Sequence, residues 1–425
     1  MDRMKILVFS VSAISDAESN GRVLKTLLPD SKLCQFLNVH ISGQPTVDSS
    51  VEYLCFTDKN ALKSLFSLGL FSKPSNIHFP SESNFSQPGG NNFKKKKTIH
   101  YLIRNLVWKF AFGIRKKIIK SAKKFEPDIV FLMGANMPFL FKMARIISKK
   151  TNSSLIIYNA EDYPLKKYDY ITGKASYSLT TKLVQRGLFK EAKKAYKKSK
   201  CNIFNSDKLL GAYTTERFVR SDNSMVIRIP STLETIKYDM NSKNILYAGN
   251  LYDDRCLSLL DFANALLEIK SEFKLVVYGK ITNQLLLEKI NNNDAISYRG
   301  VIPFAELKEH FSEYSFLLHI DGFSNYSKLD YKYAFSTKIA DYLILGIPFI
   351  CYGSSEIAGV EFLHKLNNQF TIVSRDELLP KVEKILKRDV SYKYDKVKIF
   401  KEFSMYECRS KMLELFKRFE SNNKI

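Results

Sequence analysis

Short β-branched and aliphatic runs alternate along this chain with stretches in which apolar residues recur every three to four positions. In the second half the runs predict strands at 245–248, 274–278, 295–298, 316–320, 349–351 and 370–373. The periodic stretches between them predict helices at 256–270, 283–291, 305–312, 337–345, 356–365 and 376–387. Strand and helix in alternation build a parallel sheet with crossover helices. The first half follows the same logic less regularly, with strands at 5–10, 33–39, 128–133, 155–159, 201–204 and 225–229. The expected class is α/β, with two Rossmann-like domains facing across a cleft.

Residues 230–243 are polar and hold no apolar run, which places an interdomain hinge there. A first domain then covers 1–229 and a second 244–390, while a last helical pattern over 391–425 (Val397, Phe400, Phe403, Met405, Met412, Leu415, Phe416) closes the chain. A ligand cleft is expected at the domain junction. Residues 57–100 gather Ser, Asn, Pro, Gly and Lys around Lys73-Pro74-Ser75-Asn76 and Gln87-Pro88-Gly89-Gly90-Asn91-Asn92. Such composition buries little, and a mobile loop is expected over that stretch.

With 425 residues and 45% hydrophobic content, the chain has material for two or three ordinary cores. Its six cysteines lie far apart with no Cys-x-x-Cys pair, which argues against a disulfide framework or a thiolate metal cluster and fits a reducing cytoplasm. No window approaches the ~18 apolar residues of a membrane span. Charge changes the picture more: of the net +23, +21 falls on residues 91–200, with 27 Lys+Arg against 6 Asp+Glu. Basic clusters there (Lys94 to Lys97, Arg115 to Lys124, Lys190 to Lys200) adjoin apolar residues Tyr101, Leu102, Leu106, Val107, Trp108 and Phe110. A basic segment with an apolar, Trp-containing face suits anionic lipid headgroups. A solvated lysine-rich surface would read the same way, and no DNA- or RNA-reading motif accompanies the charge, so no nucleic-acid partner is expected.

Chemistry concentrates in Ala334-Phe335-Ser336-Thr337-Lys338-Ile339-Ala340-Asp341-Tyr342-Leu343, followed by Gly346-Ile347-Pro348 and a β-branched strand. Hydroxyls and a lysine at a helix start can hold an anion, because the first free N–H groups and the helix dipole point the same way. A serine-capped core helix would carry the same residues. Three more groups stand at strand ends, where open α/β sheets bind ligands: Gly249-Asn250 with Arg255, Gly279-Lys280, and Gly300-Val301. Arg255 could clamp two phosphate oxygens with its planar fork.

In this order, Tyr247-Ala248-Gly249-Asn250-Leu251 with Arg255, Tyr278-Gly279, Gly300-Val301 with Glu306-Leu307, Ser336-Thr337-Lys338-Ile339 with Asp341-Tyr342-Leu343, Gly346-x-Pro348 and the opening 15–22 segment (Ser15-Asp16-Ala17-Glu18-Ser19-Asn20-Gly21-Arg22) resemble the GT-B-fold glycosyltransferases of the retaining family 4 type. The resemblance implies that the second domain binds a nucleotide-sugar donor and the first an acceptor. Gly249, Asn250, Arg255, Gly279, Lys280, Gly300, Val301, Ser336, Thr337 and Lys338 would hold the donor nucleotide and diphosphate, with Gly21-Arg22 in a loop closing over them. Asn250 stands where relatives carry the first cation of an arginine–lysine pair. Relatives also carry two glutamates eight residues apart. Here the positions are Tyr333 and Asp341, so His319, Asp321 and Asp341 are the candidates to hold the donor sugar, with Asp330 in the loop that follows as a further source of polar contacts. Glu161 and Asp162 occupy the place of an acidic pair that lines the acceptor pocket and, with Asp341, are the candidate catalytic residues. Asp162 as a simple turn cap is the plainer reading.

The expected activity is transfer of a sugar to a hydroxyl of a glycan or lipid-linked acceptor in bacterial surface polysaccharide (lipopolysaccharide or capsule) biosynthesis, with retention and without a metal ion or other cofactor. The expected location is cytoplasmic, peripheral on the inner face of the cell membrane through residues 91–200. A sugar-nucleotide epimerase of the same fold, or a partner subunit with a decayed donor site, would share the donor cleft.

Overall fold

The computed structural model describes residues 3–16, 19–45, 50–66, 73–75, 98–170 and 178–420. It divides into two compact units, Met1–Ile229 with Met405–Ile425, and Pro230–Ser404. The runs Gln87 to Asn92 and Lys94 to Lys97, and Ala17-Glu18 of the opening motif, lie outside the described residues.

The first unit is built from β1 (Met4–Ser12), α1 (Ser19–Leu27), β2 (Cys34–Ser42), β3 (Val51–Cys55), α2 (Asp58–Phe66), α3 (Thr98–Phe110), α4 (Phe112–Phe125), β4 (Ile129–Met133), α5 (Pro138–Thr151), β5 (Ser154–Asn159), α6 (Leu179–Tyr196), β6 (Cys201–Phe204), α7 (Asp207–Thr215) and β7 (Ser224–Val226). Its seven strands are ordered β3-β2-β1-β4-β5-β6-β7. Neighbouring strands run parallel throughout, for example Ile6 opposite Phe36 and Ile129. The all-apolar run of β4 is buried along its whole length because helices cover both faces of a parallel sheet.

Two elements here were not expected. β3 is a short edge strand, and α2 occupies the start of the stretch read as a mobile loop, with Ala61 and Ser64 buried. Asp58, in the first turn of α2, accepts hydrogen bonds from Trp108 Nε1 at 2.7 Å and Arg104 Nε at 3.0 Å. Trp108 is fully buried, its ring centroid 4.5 Å from that of Phe139. The tryptophan therefore belongs to the core and not to an exposed apolar face, which corrects the sequence expectation. The outward residues of α3 are Ile99, Ile103, Leu106 and Phe110, each 42–52% exposed.

The second unit comprises β8 (Asn244–Ala248), α8 (Asp253–Glu268), β9 (Lys274–Tyr278), α9 (Gln284–Asn291), β10 (Ile296–Tyr298), α10 (Phe304–His310), β11 (Phe316–Ile320), α11 (Asn325–Asp330), α12 (Thr337–Leu345), β12 (Phe349–Tyr352), α13 (Ala358–Leu366), β13 (Thr371–Ile372), α14 (Leu378–Leu386) and α15 (Lys396–Phe403). Its parallel sheet is ordered β10-β9-β8-β11-β12-β13. The winding reverses between β8 and β11, where sheets of this kind open a ligand crevice at their carboxyl edge.

The C-terminal helical pattern is two helices, α15 in the second unit and α16 (Met405–Phe419) in the first. The start of the 230–243 segment lies along α12: Thr235 Oγ1 donates to the Ile344 carbonyl at 2.8 Å and the Ile236 N–H to Leu345 at 3.2 Å. α12 itself ends at Gly346, whose φ of 77° is the left-handed cap that stops the helix before Pro348.

Trp108→Ala should leave a large cavity and lose the Asp58 bond, costing about 3–5 kcal/mol. Urea unfolding of the purified variant checks this, and a loss below about 1 kcal/mol would show that α3 is not anchored through its indole.

Candidate functional site

Three strand ends at the carboxyl edge of the second sheet are stacked through glycine. The Gly249 N–H, just past β8, donates to the Tyr278 carbonyl at 2.8 Å, and the Gly279 N–H, just past β9, to the Gly300 carbonyl at 2.7 Å. A Cβ on Gly279 would stand 1.9 Å from the Gly249 carbonyl oxygen. A Cβ on Gly249 would stand 1.6 Å from Lys338 Nζ, so only a bare Cα lets that ammonium reach the β8 turn.

Lys338 lies in the first turn of α12, its ammonium 5.2 Å from the centre of the Tyr247 ring. It has no hydrogen-bond or ion-pair partner among the described residues. Burial, and then the nearby Arg255 guanidinium, push its pKa down to about 8. Ser336 is the N-cap by position, yet its hydroxyl makes no capping bond, and Thr337 beside it is exposed. A helix start without a side-chain cap, an ammonium and a glycine turn thus meet at one point. Together they can receive a doubly charged oxyanion.

Arg255 is placed differently from the expected free fork. Its Nε and Nη2 both bind Oδ1 of Asp321, at 3.1 and 2.6 Å. Its guanidinium also sits 5.2 Å from the centre of the Tyr331 ring. Asp321, just past β11, is almost fully buried, and its Oδ2 lies 3.2 Å from Nε2 of the buried His319. Burial alone would raise the Asp321 carboxyl, but Arg255 and His319 outweigh it and hold the group well below the usual carboxylate range. His319 and Asp321 are thus engaged with the protein rather than turned out toward a sugar. Next to Arg255, Asp254 accepts from the N–H and hydroxyl of Ser324 at 3.1 and 2.8 Å, and a Cβ on Gly322 would stand 1.8 Å from its Oδ2. The first turn of α8 is therefore tied twice to the turn after β11, across the reversal in strand order.

The remaining candidates of this unit are exposed at the same edge: Asn250, Lys280 and Val301. Asp341 is tied down, its Oδ1 accepting from Ser231 Oγ at 2.6 Å. In the first unit, Gly21 is not in a loop but in α1, where a Cβ would stand 2.6 Å from the Ala13 carbonyl oxygen, and Arg22 beside it is exposed. Gly21 lets α1 pack against the turn after β1. Past β5, Asp162 makes a buried ion pair with Lys166 at 3.2 Å rather than capping the turn that follows. Lys166 also donates to the Tyr168 hydroxyl at 3.0 Å. Glu161 is half-exposed beside this pair. Sequence reasoning missed Lys166, Asp254 and Tyr331. The i,i+4 spacing of Asp162 and Lys166 was a readable signal, whereas nothing local marked Tyr331.

No protein-family model matches the sequence, and no curated protein matches it. Solved structures match over nearly the whole length. HepE (Alr3699) of Anabaena, crystallised with UDP and glucose, has a TM-score of 0.57 at 12% identity, covering 98% of this chain and 100% of its own. A glycosyltransferase of Rickettsia africae has a TM-score of 0.55 at 14% identity, with 99% and 100% covered. An α,α-trehalose 6-phosphate synthase of Burkholderia multivorans has a TM-score of 0.56 at 9% identity, with 98% and 97% covered. The chain has the GT-B fold. Within that GT-B fold, the Gly249–Lys338 contact marks the crevice at which the second sheet reverses its strand order.

Lys338→Met should remove the ammonium without adding a side chain at Gly249, whose φ of 156° strains any other residue. A thermal midpoint within a few degrees of the parent, with affinity for inorganic pyrophosphate at least about tenfold weaker by titration calorimetry, is the expected outcome, because an ion–ion contact of this kind is worth upwards of 1.4 kcal/mol. Undiminished pyrophosphate binding would exclude Lys338 from the anion site.

Proposed function

We propose that the protein is a glycosyltransferase that takes a sugar from a nucleotide-sugar donor. The observation that carries this reading is the Lys338 ammonium seated over the bare Gly249 at the start of α12, where the winding of the second sheet reverses. A leaving diphosphate placed there meets a fixed positive charge and a helix N-terminus, with the exposed Lys280 at the same edge. Positive groups aimed at developing charge supply several kcal/mol of transition-state stabilisation. We assign the donor to the second unit and the acceptor, a hydroxyl of a glycan or lipid-linked acceptor in surface polysaccharide synthesis, to the first. The transfer proceeds with retention, as in the family the motifs resemble. Glu161, beside the Asp162–Lys166 pair, is the group we assign to orient the acceptor hydroxyl.

We further assign the basic region to an anionic membrane surface, peripherally and on the cytoplasmic side. No helix among the described residues is long and apolar enough to cross a membrane. What supports surface binding is the outer face of α3, where Ile99, Ile103, Leu106 and Phe110 form one stripe that Phe112 extends. Arg115 lies 4.6 Å from the Phe112 ring, and Lys116, Lys117, Lys120, Lys123 and Lys124 follow on α4. Apolar side chains enter the headgroup boundary while each nearby Lys or Arg adds about 1 kcal/mol of attraction.

Thermal-shift screening against UDP, GDP, ADP and their sugar conjugates tests the donor assignment, with UDP first because HepE was crystallised with it. A selective stabilisation of several degrees is expected, and no response to any nucleoside diphosphate would overturn the assignment. Membrane attachment is read by vesicle sedimentation: the protein should pellet with anionic vesicles at low salt, be released as salt rises, and lose most of its binding in the Leu106→Asp/Phe110→Asp double variant. Equal pelleting with neutral vesicles would sink the electrostatic part.

A further inference from the structure

Asp321 is held by the protein on every side. Its N–H donates to the Tyr352 carbonyl at 3.0 Å, and a Cβ on Gly353 would stand 3.0 Å from its own Cβ. One carboxylate oxygen takes two donors of Arg255 and the other faces His319. Arg255 and Lys338 are brought to this edge by different helices, close enough that the guanidinium acts on the ammonium as a like charge. The groups that act on the Lys338 ammonium are Arg255 from α8, Asp321 from the turn after β11, Asp341 on its own helix and the Tyr247 ring from β8.

We propose that Asp321 is the resident counter-ion of the anion site: it fixes Arg255 and offsets the repulsion between Arg255 and Lys338, so that both cations stay charged and in place while no diphosphate is bound. Asp321 is then a positioning residue that touches no substrate, which differs from the sugar-holding role its strand-end position suggested. The role rests on the nucleoside diphosphate reading above. Without the carboxylate Arg255 loses its ion-pair partner and Lys338 keeps only Asp341 as an opposing charge, and the cation that can shed its proton is Lys338, because a guanidinium does not deprotonate in a protein.

The test is binding of inorganic pyrophosphate and of UDP by titration calorimetry between pH 6.5 and 9.5. In the parent protein affinity should fall as pH rises through about 8, as Lys338 loses its charge. Asp321→Asn should move that midpoint down by about one unit or more, a shift worth about tenfold in the proton equilibrium. Asp321→Glu should bring it back toward the parent value, and Asp321→Ser is the second neutral variant should the asparagine form not fold. Lys338→Arg should flatten the profile. A neutral variant with an unmoved midpoint, or one that loses affinity equally at every pH, overturns the counter-ion role while leaving the nucleotide reading intact. A flat profile in the parent overturns it without any variant. Failure of the parent to bind either probe overturns the nucleotide reading, and this role with it.

Discussion

The Lys338 ammonium occupies the space that a side chain on Gly249 would need, and much of the second unit follows from that constraint. Lys338 reaches the β8 turn only because Gly249 has no Cβ, and Gly249 fits beside β9 only because Gly279 has none. The parallel sheet supplies the rest. Every strand ends at one edge, the winding reverses between β8 and β11, and α12 enters that edge with its N-terminus. A positive charge and a helix dipole are thereby fixed before any anion arrives. Preorganised charge of this sort stabilises a charged ligand more than flexible surface lysines do, since little has to be ordered on binding.

The pair formed by Arg255 and Asp321 adds little to folding stability. Burying two opposite charges costs several kcal/mol of desolvation per ion, and their attraction roughly returns it. What the pair supplies is position. Together with the Asp254–Ser324 contacts it ties the start of α8 to the turn after β11, on the two sides of the reversal in strand order.

Much of this architecture could be read from the sequence because it rests on local signals. The bounds of α12 coincide with the expected 337–345, since an apolar period of 3.6 runs between a polar start and Gly346. The strands 274–278 and 316–320 were legible as short, largely apolar runs. What was missed depends on partners far away in the chain. Arg255 meets Asp321 sixty-six positions later, and no spacing rule announces such a pairing. β3 is five residues long with Glu52 inside its apolar run, and its strand character comes from pairing with β2. Trp108 followed an amphipathic pattern that allowed either face to be the inner one, and Asp58 decided between them. The 391–425 pattern is periodic throughout, so the break at Ser404 between α15 and α16 left no compositional mark.

That indole works as a key in a lock. Helical positions two apart point roughly 200° away from each other, so seating Trp108 against Asp58 and Phe139 turns Leu106 and Phe110 outward by geometry alone. The angular setting of the surface stripe is inherited from the interior. Substitutions among the exposed residues can alter the chemistry of the stripe, but they cannot change where it points. A one-residue slip of α3 would swing every side chain by about 100° and leave the tryptophan without its slot. Surface chemistry and core packing in this helix are therefore free to vary in composition but not in phase.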